Sequence, residues 1–352
     1  MVEFRPLLTF TNQNLQGFSK KMRQPNKRQA IDEPLAKASP VQLAQLWAKR
    51  YVIAIETYEG TLQESNPQSR TAVVEHLTSE LRSASAKAWN LTESFLAHEV
   101  KRHRINANLI DPWSVAGDVH RVYAKALAAY GKHIPPQQLS VKIASGLGVI
   151  RKRYTSGDPR LIGFVSMQFH HCGQMLIESA PESEQGILAA YFKVIDDHLY
   201  MPLQRAYAAA ARYAYDDERL KVVQTLLPHS TVIANNVVDR VNTIYPNYQC
   251  YTDRLDSDVV RVSSVRDTEM FQIYLWTCVL EQSLSAIQQE LFPLCVMLYP
   301  TLKVNWELVR HMLHLMGQEF EQYVEQSRVK HYEPYHQALW QMFSPEVFPD
   351  MI

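Results

Sequence analysis

The sequence predicts an all-α protein, a multi-helix bundle preceded by an irregular N-terminal arm. Three observations carry this prediction. Apolar residues recur at helical spacing along most of the 352 residues. Glycine is scarce, at 11 residues. Prolines tend to follow a polar residue just where a periodic stretch begins, at Ser39-Pro40, Asn66-Pro67, Asp111-Pro112, Asp158-Pro159 and Ser344-Pro345. The polar side chain can accept from the orphan N–H groups of a first helical turn, and proline has its φ preset and no N–H to lose.

Helices are expected at about 40–64, 68–104, 112–131, 136–153, 159–179, 183–213, 217–244, 266–291, 304–329 and 333–343. The first rests on Leu43, Leu46, Trp47, Tyr51, Ile53 and Ile55 behind Ser39-Pro40. The second rests on the stripe Val73, Val74, Leu77, Leu81, Ala84, Ala88, Leu91 and Phe95. Asp111-Pro112 and Asp158-Pro159 open later helices. Lys101 to Arg104 and Arg151-Lys152-Arg153 close others, where cations complement the helix dipole. Ser264-Val265-Arg266-Asp267 fits a capping box before the apolar run that starts at Met270. That run, Met270 to Leu302, is interrupted by Glu281, Gln282, Gln288, Gln289 and Glu290. It is therefore expected as a buried helix, because a membrane span needs about 20 mostly apolar residues.

Residues 1–38 read as an arm, 39–245 as a helical domain, 246–265 as a connector and 266–352 as a C-terminal helical subdomain. The connector holds a short β-like run, Val259-Val260-Arg261-Val262. No internal repeat is present, which disfavours a solenoid.

Lys plus Arg equals Asp plus Glu at 36 each, so no global field draws the chain onto nucleic acid or anionic lipid. The four cysteines, Cys172, Cys250, Cys278 and Cys295, form no Cys-x-x-Cys pair, which argues against a zinc ribbon or redox dithiol. The opening MVEFRPLLTFTNQNLQGFSKK lacks an apolar core with a small-residue cleavage site, so a reducing cytoplasm is expected.

Candidate sites are few. Gly146-Leu147-Gly148 and Gly131-Lys132 lack the spacing of a phosphate loop and follow no strand. His98-Glu99 with His103 misses the zinc-protease spacing by one residue. His170-His171-Cys172 cannot all ligate one metal, since adjacent helical residues diverge by about 100°. One of His170, His171 or His198 could hold a haem or other cofactor between helices, or be an ordinary buried histidine. Asp196-Asp197-His198 meets the same geometric objection, though His171 could pair with Asp197 or His198. Glu307, His311, His314, Gln318 and Glu321 share one helical face and could chelate at His311 and His314. With Val309, Leu313, Met316 and Phe320 opposite, the solvated-face reading is favoured. The Glu-x-x-His motif of a di-iron bundle is missing. Tyr274, Trp276, Phe292, Tyr299 and Trp306 read as core. Tyr332, Tyr335, Trp340, Phe343 and Phe348 either dock on the body or await a partner. In the arm, Lys20, Lys21, Arg23, Lys27 and Arg28 cluster without acidic partners until Asp32 and Glu33, and suit docking to a protein.

Two stretches, DDHLYMPLQRAYAAAA from Asp196 and SSVRDTEMFQIYLWTCVLEQSLSAIQQELFPLCVMLYP from Ser263, resemble an all-helical cyanobacterial family. The resemblance implies a cytoplasmic cyanobacterial protein and brings no activity and no functional residue. The expected function is a non-catalytic protein–protein interaction protein, an assembly or regulatory factor. The alternative is a helical protein binding haem, metal or another cofactor, and the third reading is a nucleic-acid-binding regulator. The sequence names no cofactor and no catalytic residue.

Overall fold

The computed structural model describes residues 39–52 and 67–349. The arm, with Lys20, Lys21, Arg23, Lys27 and Arg28, lies outside them. So do Ile53, Ile55 and the Asn66 cap. Helices dominate, and no strand occurs among the described residues, where an isolated bridge links Gln249 to Arg254.

In chain order the helices are α1 Pro40–Ala48, α2 Pro67–Arg102, α3 Pro112–Gly131, α4 Pro136–Thr155, α5 Leu161–Glu178, α6 Glu182–Tyr200 and α7 Leu203–Ala210. They continue as α8 Glu218–Leu226, α9 Ser230–Ile244, α10 Asp258–Glu281, α11 Phe292–Leu298, α12 Trp306–Glu321, α13 Gln326–Val329 and α14 Glu333–Met342. Helix starts follow local chemistry. Ser39 and Gln42 form a capping box on α1, and the Asp111 carboxylate accepts from the Trp113 N–H at 3.0 Å to open α3. Asp158 caps one turn early. Its Oδ1 accepts from the Arg160 N–H, so Pro159 sits in a turn and α5 begins at Leu161. No helix follows Ser344-Pro345 among the described residues, where the chain turns.

Several expected helices are broken. Met201-Pro202 divides 183–213 into α6 and α7, since Pro202 offers no N–H to continue the ladder. Pro228 sits in a 3₁₀ turn between α8 and α9. The helix expected at 266–291 begins at Asp258, because the extended backbone of Ser257 starts it there. The β-like run is thus the first turn of α10. Val260 faces the body while Val259 and Val262 are exposed. Ser264 lies inside α10 and caps nothing; its carbonyl accepts from the Thr268 hydroxyl at 2.8 Å. The second half of the expected connector is therefore helical, and α9 packs on both α10 and α12 across its first half. The described residues belong to one compact unit with a shared core.

Four helix-end turns close on a left-handed residue that is not glycine: Arg104, His133, Gln282 and Lys303. After each, the next N–H reaches back to a carbonyl of the preceding turn: Ile105 to Val100, Ile134 to Ala129, Ser283 to Cys278 and Val304 to Tyr299. In α2 the buried stripe runs Val73, Leu77, Leu81, Ala84 and Ala88, then shifts to Thr92, Leu96 and Glu99, which leaves Leu91 exposed.

Helix α10 sits at the centre. Every residue from Thr268 to Leu280 is buried, so this segment has no solvated face. Helices α7, α8, α9 and α14 pack around it. Most of the C-terminal aromatics dock on the body, while Trp340 is exposed: Phe343 packs among Phe271, Phe292, Trp306 and Phe348, and Tyr332 against Trp276 and Phe320. No helix of the described residues is long and apolar enough to cross a membrane.

Two buried polar residues of α10 need partners. Gln272 donates to the Ser230 carbonyl at 3.0 Å, and Glu269 accepts from the Thr231 hydroxyl at 2.9 Å and from the Arg50 guanidinium. Arg50 stacks on Trp47, and the Tyr51 hydroxyl donates to Asp197 at 2.8 Å. Arg50→Ala would leave the buried carboxylates of Glu269 and Asp197 with the half-exposed Lys193 alone as cation. It should cost about 3–5 kcal/mol of stability, while Thr231→Val should cost about 1 kcal/mol. Urea unfolding of the two variants measures the difference, and equal losses would show that Arg50 does not anchor the network.

Candidate functional site

One face each of α5, α6, α9, α10 and α12 converges on a cleft. Gly163, Met167 and His170 recur at helical spacing on α5, as do Asp196 and Tyr200 on α6, Val238, Val241 and Asn242 on α9, and Leu308, Val309 and Met312 on α12. Helix α10 contributes Val260, Ser263, Ser264, Arg266 and Asp267. The loop from Cys250 to Leu255 roofs it, tied down where the Tyr251 N–H donates to the Leu302 carbonyl at 3.0 Å. The lining is mostly apolar and the volume about 230 Å³. Sites for drug-sized ligands span roughly 300–1,000 Å³, so the cleft suits a small ligand.

Polar groups gather on one wall. Asp267 accepts from the hydroxyls of Tyr200 at 3.0 Å and Tyr299 at 3.4 Å, and from Arg266 at 3.4 Å. The Arg266 guanidinium lies over the Tyr200 ring, 4.6 Å from its centre. His170 Nδ1 lies 2.8 Å from Asp196 Oδ2, so that nitrogen carries the proton and donates. Three residues of the lining each carry a polar atom that is shut off from the cleft and has no protein partner: Asp196 Oδ1, Asn242 Oδ1 and Arg266 Nε. Burial and the neighbouring His170 hold His171 below the ordinary histidine pKa, against the pull of Asp196. Burial raises the Tyr200 and Tyr299 phenols well above their usual value, which keeps them neutral donors to Asp267.

The sequence candidates divide. His170 and His171 line the cleft, but His198 does not. It lies on the other side of α6, fully buried, with Nδ1 against the Val194 carbonyl at 2.8 Å and Nε2 unpaired. Asp197 is near Arg50 and bonds Lys193 at 2.9 Å, so it joins the α1–α10 network and not His171. Glu307, His314, Gln318 and Glu321 are exposed on α12. His311 is half-buried against Tyr245, whose hydroxyl lies 2.5 Å from its Nδ1, and His314 meets Gln318 at 2.9 Å. Val309, Leu313, Met316 and Phe320 are buried on the opposite face. Among the described residues, no three His, Cys, Asp or Glu side chains converge as a metal site would require.

Other sequence features have packing roles. Gly148 lets the Gln204 side chain of α7 approach α4; a Cβ there would lie 2.4 Å from it. Arg151, at the expected basic helix end, is buried against Tyr274 and Glu290. Glu99 of the near-protease motif is buried beside His103 and accepts from the Thr301 hydroxyl at 2.8 Å. All four cysteines are free and buried.

The sequence reading missed Arg266, Asp267, Tyr200, Tyr299 and Asn242 as cleft residues. Their one visible signal was a charged pair, Arg266-Asp267, next to a long apolar run. No family model, curated protein or solved structure matches the chain.

Burial lowers the His198 pKa to about 4, outweighing the Val194 carbonyl and Asp197. In the unfolded chain this imidazole titrates near 6.5. Between those values the unfolded state binds more protons, so stability falls as pH drops from about 6.5 towards 4, by up to roughly 3 kcal/mol. His198→Phe should flatten that slope by about one proton. Urea stability measured across this window checks it, and an unchanged slope would show that His198 is not buried in the neutral form.

Proposed function

We propose that this chain is a non-catalytic binding protein that holds a small amphipathic molecule in the α5–α6–α9–α10–α12 cleft. One observation carries the reading: a mostly apolar cleft of about 230 Å³ has a polar wall of His170, Asp196, Arg266, Asp267 and Tyr200. A concave apolar pocket with a few convergent polar groups is the usual form of a small-molecule site. An engineered apolar cavity of about 150 Å³ accommodates benzene, so this cleft suits roughly nine or ten heavy atoms. The resemblance of the Asp196 and Ser263 stretches supports placing the protein in a cyanobacterial cytoplasm.

A second reading, docking to a protein partner as an assembly or regulatory factor, rests on the basic cluster Lys20, Lys21, Arg23, Lys27 and Arg28. Trp113 favours it too. At 86% exposure it offers the kind of aromatic anchor that partner surfaces use. Nucleic acid is disfavoured by the zero net charge.

Two measurements separate these readings. In a thermal-shift screen of small amphipathic fragments, hits should appear with the full chain and vanish in Val241→Phe, whose ring fills the cleft. Hits that persist in that variant would remove the cleft from the function. Reversing the charge of Lys20, Lys21, Arg23, Lys27 and Arg28 should weaken capture of a protein partner, most of all at low salt where screening is least. Unchanged capture would sink the docking reading of the arm.

A further inference from the structure

We propose that one end of the bundle, where α2 and α4 finish and α3 begins, docks on an anionic phospholipid surface. This goes beyond the ligand-binding reading and does not depend on the cleft. Trp113, in the first turn of α3, is 86% exposed, and Leu109, in the 3₁₀ turn before it, is 41% exposed. Contacts gather cations behind this apolar tip. Leu109 leans on the turn after α4, with Cδ1 3.7 Å from where a Cβ on Gly157 would lie. Arg160 donates to the His103 carbonyl at 3.0 Å, which joins that turn to the end of α2. Trp113, Gly117 and Arg121 follow at i, i+4 and i+8 on one face of α3. The Arg121 guanidinium folds back along this face, to 3.5 Å from the Cβ position of Gly117.

The zero net charge of the chain hides a surplus at this end. Residues 101–121 and 152–160 hold seven Lys and Arg against three acids, Asp111, Asp118 and Asp158. Asp118 is buried and shared by Arg121 and Arg153, while Asp158 is taken by Arg160. Asp111 is exposed and caps α3, and the buried Glu99 lies beside Arg102 and His103. Lys101, Arg104 and Lys152 remain as exposed cations. The acidic loop of Asp253 and Asp256 meets α2 through Tyr251 on Phe95, a face about 120° round the helix from Lys101. Such a tip suits a bilayer: the ring and the leucine enter the interface while the cations meet lipid phosphates. A protein partner would need more, since two apolar side chains fall far short of the roughly 800 Å² per partner that a stable interface buries. A nucleic-acid strand would stack on Trp113 but gain nothing from Leu109.

The test is co-sedimentation of the full chain with vesicles of about one-third phosphatidylserine in phosphatidylcholine, against vesicles of phosphatidylcholine alone. Binding should be about tenfold or more tighter to the anionic vesicles, and should fall as salt is raised. Trp113→Ala should weaken it about tenfold. Brominated lipid should quench tryptophan fluorescence in the full chain and far less in that variant. Lys101→Glu combined with Lys152→Glu, which leaves Trp113 in place, should weaken binding to the anionic vesicles by a similar factor. It should leave any binding to phosphatidylcholine unchanged. All three side chains are exposed, so both variants should melt as the full chain does. No binding to anionic vesicles at millimolar lipid, equal binding to both vesicles, or indifference to Trp113→Ala would overturn the proposal. So would capture of a single-stranded oligonucleotide that is lost in the double lysine variant, with no vesicle binding beside it.

Discussion

The structure depends on satisfying a helix that has no outside. From Thr268 to Leu280, α10 is buried on every face, so the usual division of a helix into wet and dry sides is absent. Its apolar residues need only neighbours. Its polar ones, Glu269 and Gln272, need specific partners, because a buried unpaired carboxylate is among the most destabilising groups a core can hold. Arg50 and Thr231 meet Glu269 Oε1 and the Ser230 carbonyl meets the Gln272 amide N–H, while Glu269 Oε2 and Gln272 Oε1 have no hydrogen-bond partner. Helix α1 and the start of α9 are therefore fixed by electrostatics as well as by packing.

The same helix builds the cleft. Where α10 emerges from the core towards its N-terminus, its exposed residues, Val259 and Val262, alternate with residues that face inward, and Arg266 and Asp267 stand at the boundary. The phenols of Tyr200 and Tyr299 fix Asp267, and Asp267 with the Tyr200 ring fixes the guanidinium. The wall is rigid because each member is held by another.

The fold class was legible because it rests on local signals that the tertiary structure had no reason to override. Ser39 and Asp111 cap their helices as their side chains dictate. Helix ends were less legible. Four helix-end turns close on Arg104, His133, Gln282 and Lys303, where a reader looks for glycine. Val259-Val260-Arg261-Val262 misled because β-branched residues favour strands, and only packing against the body makes that turn helical. Arg266-Asp267 reads locally as a cap. Its role in the cleft depends on Tyr200 and Tyr299, which the chain brings from α6 and α11. His170 was legible as a candidate, but its partner Asp196 was one position away from the residue expected to pair with histidine.

The contact between Arg50 and Glu269 joins residues 219 positions apart. A ribosome adding about 5–20 residues per second needs roughly ten to forty seconds between the two. Through that interval α1 is outside the exit tunnel with Trp47 and Tyr51 uncovered and a guanidinium that has no carboxylate on α10 to meet. Helices α4 and α7 can cover part of it sooner, since they pack on α1 and are made earlier. Completion still awaits the centre of the fold, which is among the later parts synthesised. Until α10 is made, Arg50 lacks its Glu269 partner and the apolar face of α1 is only partly covered.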